Sequence, residues 1–219
     1  MIKKLSASLV PLLAIAFAML PVAARAAPHW YSNGKLIKEG EVVPLTTTSN
    51  ALKFHVSGSD YDIKLQCALR DQETITNPTG GGPGTEEVTE FALSGCSGTN
   101  KPERVTEPLC PAGVEPEVIT EGLPWLSRLI PGPPIRDEIV AGPGVSGEAI
   151  VLAPRCLVLG NYQYFDLFSG ILIPTVGNSV LTFGTAVELR DIHEHIVTVT
   201  GKDKLKGPPG DQKITAQDP

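Results

Sequence analysis

His193-Glu194-His195 is the most metal-like stretch of the sequence. On a strand, alternate side chains share a face, so His193 and His195 could present two imidazoles to a zinc or copper ion with Glu194 turned away. A third ligand would have to come from afar, from His29, His55 or a carboxylate. The competing reading is an exposed polar strand end beside Arg190 and Asp191, and the sequence favours it, so no cofactor is expected. Gly80-Gly81-Gly82-Pro83-Gly84 could cradle a phosphate, but no Gly-Lys-Ser/Thr follows and Glu86 and Glu87 would repel the anion. A tight turn between two strands is the better reading. Gly144-Val145-Ser146-Gly147 falls one residue short of a nucleophile elbow.

Trp30 with Tyr31, close behind the export segment described below, are the candidate ligand-binding residues, because an aromatic face on a β scaffold can stack on a sugar ring. Trp125, among Leu123, Leu126 and Leu129, reads as core. Asn77-Pro78-Thr79 is no glycosylation acceptor, because proline occupies the middle position. Paired carboxylates of the glycosidase kind cannot be singled out from 24 acids, and Glu86-Glu87 and Asp137-Glu138 read as solvated loop residues.

Residues 1–26 have the form of an export signal: Lys3 and Lys4, an apolar run from Leu9 to Leu20, then Ala24-Arg25-Ala26. The run is too short for a bilayer span of about 20 residues, and no later stretch is long and apolar enough for one. Cleavage would remove three basic residues and no acid, leaving 15 basic and 24 acidic side chains and a charge of −9. Such a balance argues against nucleic acid as a partner. All four cysteines follow the signal, and an even count in an exported chain favours disulfides over a metal site, whose close C-x2-4-C spacing is missing. Alternation places Cys67 and Cys156 towards a core, whereas Cys96 and Cys110 flank a polar loop from Ser97 to Leu109. The expected pairs are Cys67–Cys156 and Cys96–Cys110.

These residues must be carried by β structure. The chain has 22 Gly and 20 Pro, which leaves little room for helices. Short alternating runs recur between turn signals: 52–56, 61–67, 88–93, 148–156, 163–168, 171–176, 180–183, 186–189 and 196–200. This rhythm predicts an all-β, antiparallel sandwich or barrel-like fold, loop-rich between 97 and 147 and stapled by disulfides. The domain would span 27–200, with two small β subdomains meeting near 157 as a variant. Residues 201–219 read as a polar tail, in which Lys213 to Ala216 could form a final edge strand.

Trp30-Tyr31-Ser32-Asn33-Gly34, the run from Asn77 to Gly84 leading on to Phe91 and Cys96, and Leu123-Pro124-Trp125 together resemble uncharacterised secreted β-rich proteins of actinobacterial type. The resemblance covers roughly 28–156 and implies export, a β fold and paired cysteines, but no activity. The expectation is a secreted or envelope-associated, non-catalytic binding or structural module with an envelope or extracellular polysaccharide as partner. The alternative is a secreted hydrolase whose site is assembled from distant residues.

Overall fold

The computed structural model describes residues 27–58, 62–101, 106–143, 149–164, 166–184, 188–207 and 212–218. Residues 1–26, which read as an export signal, and the Gly144-Val145-Ser146-Gly147 stretch lie outside them. The described residues form seventeen strands: β1 (His29–Ser32), β2 (Lys35–Leu36), β3 (Val42–Ser57), β4 (Asp62–Thr76), β5 (Thr85–Asn100), β6 (Glu107–Pro108), β7 (Glu117–Glu121), β8 (Trp125–Ile130), β9 (Arg136–Ala141), β10 (Ile150–Val158), β11 (Asn161–Tyr164), β12 (Phe168–Ile171), β13 (Thr175–Val176), β14 (Val180–Phe183), β15 (Glu188–Arg190), β16 (Ile196–Lys206) and β17 (Ile214–Gln217). No helix occurs among the described residues.

Eight of these strands close an antiparallel barrel in the order β3-β4-β5-β8-β9-β13-β14-β16 and back to β3. Closure leaves no free sheet edge around the ring. The tight turn expected at Gly80–Gly84 joins β4 to β5, with Gly80 at φ 93° and Gly81 at φ 84°. These are values that a residue with a Cβ rarely adopts.

β3, β4, β5 and β16 are longer than the barrel needs. Register shifts fall between Ser49 and Leu52, between Gln66 and Ala68, and between Thr200 and Lys204, all at one level of the sheet. Bulges bend a strand and increase its twist. Below this crease the sheet forms the barrel wall. Above it, the same strands are covered by β7, β10, β12 and β15, and Phe54 of β3 stacks on Phe168 of β12 with centroids 6.2 Å apart. One continuous core includes Leu52, Phe54, Leu65, Leu152, Phe168, Leu189 and Val199.

A separate three-stranded sheet, β17-β1-β2, ties the C-terminal residues to the start of the described chain. The edge strand expected near Lys213 is therefore present as Ile214–Gln217, paired along His29–Ser32. Residues 201–206 are not tail: they are the second half of β16 and line the barrel. The stretch 97–147, read as loop-rich, holds the end of β5 together with β7, β8 and β9.

The cysteine pairing differs from the expected one. Cys67 joins Cys96 with Cα atoms 4.2 Å apart, and Cys110 joins Cys156 at 5.6 Å. Cys96 does not open a loop. It lies on β5 between Ser94 and Ser97, which pair with Ala68 and Gln66, so the register seats it beside Cys67. Cys156 of β10 is thereby left for Cys110.

Candidate functional site

The alternation of β16 gives its two faces opposite character. Lys202, Lys204 and Lys206 point outward and are exposed, while Asp203 and Leu205 point into the barrel and are buried. Antiparallel pairing lays Lys204 beside Thr48 of β3, and Thr48 in turn beside Arg70 of β4. Above the crease, Thr200 pairs with Lys53, and His55 pairs with Lys64. The outward positions of β16, β3 and β4 thus carry six cations, Lys53, Lys64, Arg70, Lys202, Lys204 and Lys206, against one carboxylate, Asp62. Asp62 is engaged by Lys64 at 3.0 Å and by His55 at 2.5 Å. Hydrogen bonds from those two side chains hold its carboxyl below the usual range. Among the described residues no ion pair engages the other five cations.

Two grooves run over this face. One of about 500 Å³ lies at the β3 bulge and is lined by Thr48, Ser49, Asn50, Lys202, Lys204 and Lys206. The other, about 510 Å³, lies above the crease, with Lys53, His55, Lys64, Gln66, Thr99 and Thr200 on its walls. Ammonium groups and hydroxyl or amide side chains alternate along both. Such a lining can donate to an anionic, hydroxyl-rich ligand, and it holds no nucleophile–base pair.

The interior is the reverse of the face. Asp71 and Glu73 of β4, Glu86 of β5, Asp137 of β9 and Asp203 of β16 are all buried inside the wall. No lysine, arginine or histidine is buried among the described residues to balance them. Thr47 donates its hydroxyl to Glu73 at 2.7 Å and its backbone N–H to Asp71 at 3.0 Å. The oxygens of Glu86, Asp137 and Asp203 accept no such well-formed hydrogen bond. Loss of solvation is the main cause that pushes all five carboxyls up, to about 6 for Asp137 and about 7 for Asp203. Glu86 stands between Glu73 and Asp137, and the repulsion of both adds to its burial in pushing it well up towards the acid form. Because the carboxyl oxygens of Glu86 and Asp137 are sealed from solvent, the pair cannot reach an external substrate.

Glu86 and Asp137 therefore contradict their reading as solvated loop residues. They are the inward members of Glu86-Glu87 and Asp137-Glu138, on strands whose alternation sends Glu87 and Glu138 outward.

The residues singled out in the sequence lie elsewhere. Trp30 is fully buried, so its reading as a ligand-stacking residue is overturned. Its indole donates to the carbonyl of Thr85 at 3.2 Å, and its N–H and C=O are held by the Asn77 amide at 2.8 and 3.0 Å. Tyr31, its neighbour on β1, is half-buried. Trp125 is core as expected, against Phe91 at 4.9 Å.

His193 and His195 do not share a strand face, because residues 192–194 form the turn before β16. Asp191 organises that turn, accepting the N–H groups of His193 and His195 at 2.8 Å each on Oδ1 and facing Nδ1 of His195 at 3.0 Å with Oδ2. Burial alone would raise the Asp191 carboxyl, but these contacts outweigh it and hold it low. His55, a possible third ligand, is engaged by Asp62. No three His, Cys, Asp or Glu side chains among the described residues converge as metal ligands.

Two features escaped the sequence reading. One is the lysine face, since Lys202–Lys206 reads in the sequence as part of a polar tail. The other is the β10–β11 hairpin, where Tyr162 and Tyr164 are exposed and the Arg155 guanidinium lies 3.4 Å from the centre of the Tyr162 ring. Set against known protein families, curated proteins and solved structures, the chain matches none.

Proposed function

We propose that this protein is an exported, non-catalytic binding module of the extracellular space or cell envelope, and that it binds through the outer face of β16, β3 and β4. The observation that carries this reading is the pair of open grooves on one disulfide-stapled wall, lined by polar donors, with no catalytic set assembled among the described residues. Two disulfides are consistent with a location outside the cytoplasm, and secretion extends that coarser statement. Loops and walls carried on a closed, disulfide-bonded barrel are suited to recognition, because pre-ordered side chains lose less conformational entropy on binding.

Co-sedimentation of the purified, exported protein with envelopes of its own cells and with insoluble polysaccharides tests the reading. Saturable binding is expected, and Thr48→Trp and Thr200→Trp, which fill the two grooves without altering charge, should abolish it. Binding that both variants retain, or no binding to any of these surfaces, overturns it.

A further inference from the structure

From the chemistry of this same face we infer the class of partner: a linear anionic polysaccharide, with carboxylate or sulfate groups repeated along the chain. This rests on the face being the binding surface. Lys202, Lys204 and Lys206 are alternate residues of one strand, so their side chains recur about every 7 Å along it. The paired strands carry the series on through Lys53 and Lys64 above the crease, with Arg70 beside Thr48. The result is an elongated cationic track rather than a pocket for one small anion, and a polymer with regularly spaced charges is its complement.

The lack of neutralisation supports the same partner. A chain with a mature charge of −9 has carboxylates to spare, yet five of the six cations on this wall have none within ion-pairing distance among the described residues. Asp62 apart, the acids of these strands are instead turned inward, as Asp71, Glu73 and Asp203 behind the very wall that carries the lysines. Segregation of this kind concentrates positive potential on one side of an acidic protein.

Between the cations stand Thr48, Asn50, Gln66, Ser97 and Thr99, short donors and acceptors suited to sugar hydroxyls. Sequence-tolerant binding of single-stranded nucleic acid uses exposed aromatic rings on which bases stack, and the outward positions of β16, β3 and β4 carry no Trp, Tyr or Phe, their one ring being the His55 imidazole engaged by Asp62. The glycan is the polymer that both the charge and the lining fit.

Affinity for alginate (carboxylated) and heparin (sulfated), measured on the exported protein beside neutral dextran and single-stranded DNA, tests the inference. Binding to alginate or heparin is expected, with dextran bound weakly or not at all and affinity falling as salt rises. The triple variant Lys202→Gln, Lys204→Gln, Lys206→Gln should lose about tenfold or more, because three charge contacts disappear. A charge-matched control, Lys35→Gln, Lys38→Gln, Lys213→Gln, removes three lysines from other parts of the chain and should change affinity less than about twofold. Full retention by the first variant, equal loss in the control, preference for dextran, or tighter binding to DNA each overturns the inference. If the groove-filling tryptophans abolish envelope binding while the lysine variant keeps it, the module reading stands and only the partner class falls.

Discussion

Asp203 and Lys204 are consecutive residues of β16 that point to opposite sides of the barrel wall: Lys204 is exposed in the outer groove, and Asp203 is buried within. The one-residue step from solvent to interior separates the two charge populations of the protein. Lys204 keeps its charge in water at little cost. Asp203 cannot keep its charge without strongly destabilising the fold, since Asp71 and Glu73 share the interior and no cation is buried there.

The first prediction follows from that interior. When the folded carboxyl titrates higher than the unfolded one, the native state holds a proton that the unfolded chain has released, so stability falls as pH rises across the gap. The gap runs from the ordinary carboxylate range up through about 6 for Asp137 and about 7 for Asp203, and Asp71, Glu73 and Glu86 add to it with the same sign. Asp62 and Asp191 are held low and act oppositely, but their contribution is lost only below about pH 4. Urea midpoints should therefore drop between pH 5 and pH 8. A shift of the size seen for Asp203 corresponds to on the order of 4 kcal/mol as an upper bound. Asp203→Asn should stabilise at pH 8, change little at pH 5 and flatten the profile. A midpoint that rises towards pH 8 would refute this account of the interior.

The second prediction separates packing from binding at Trp30. The indole fills the space beside Gly84 so closely that a Cβ there would lie 2.6 Å from Trp30 Cδ1 and 3.0 Å from Leu129 Cδ1. Trp30→Ala should cost about 3–5 kcal/mol through the cavity it leaves, and Gly84→Ala roughly 1–3 kcal/mol through overpacking. Both variants, assayed well below their melting temperatures, should bind the polysaccharide like the parent. Loss of binding in a folded Trp30→Ala protein would return that residue to the site.

How much of this could be read from the sequence depended on whether each strand kept its phase. On β4, Ile63, Leu65, Cys67 and Leu69 alternate without interruption, and the strand is legible. On β3 the inward set is Leu45, Thr47 and Ser49 below the bulge, then Leu52, Phe54 and Val56 above it, so the phase flips and only the upper half reads as strand. The same flip near Gly95 made Cys96 look like a loop residue and misdirected the disulfides. Residue type hid the remainder. Asp71, Glu73, Glu86, Asp137 and Asp203 occupy inward positions, but carboxylates are so rarely buried that the default places them in solvent. Lys202-Lys206 looked like a polar tail for that reason, since Asp203 breaks the apolar alternation that Leu205 would otherwise complete. The lysine face became visible only when pairing brought β16, β3 and β4 side by side.

The third prediction concerns Asn77, which the sequence set aside as an unused glycosylation motif. Its fully buried amide accepts from the Trp30 N–H and donates to the carbonyls of Trp30 at 3.0 Å and Ile37 at 2.8 Å. Asn77→Ala leaves the Trp30 N–H and the Ile37 carbonyl unpaired, while the Trp30 carbonyl keeps the Ile37 N–H at 3.1 Å, at a cost of about 2 kcal/mol or more. Asn77→Asp should be worse, because it removes both donors and adds another buried acid. Hydrogen exchange at the Trp30 and Ile37 amides should accelerate in Asn77→Ala while that of Val199 in β16 changes far less. Uniform acceleration would mean that the amide supports the whole barrel and does not specifically fasten the small sheet.

The fourth prediction is the disulfide map, where the structure and the side-chain pattern disagree most directly. A non-reducing peptide map should join Cys67 to Cys96 and Cys110 to Cys156, and a Cys67–Cys156 peptide would overturn the pairing. The two bridges span 29 and 46 residues, and in the chain-entropy model each stabilises by about 4 kcal/mol. Their local effects should differ even so. Cys67–Cys96 links two strands that β pairing already holds together, so Cys67→Ser, Cys96→Ser should lower the melting temperature with hydrogen exchange rearranged little. Cys110–Cys156 fastens the segment between β6 and β7 to β10, where backbone pairing is sparse. In Cys110→Ser, Cys156→Ser, exchange should rise at residues 109–118 well below the global transition, while the lysine face keeps its affinity. Loss of polysaccharide binding in that variant would show that the β10 side of the molecule takes part in recognition, with Tyr162 and Tyr164 the first residues to change.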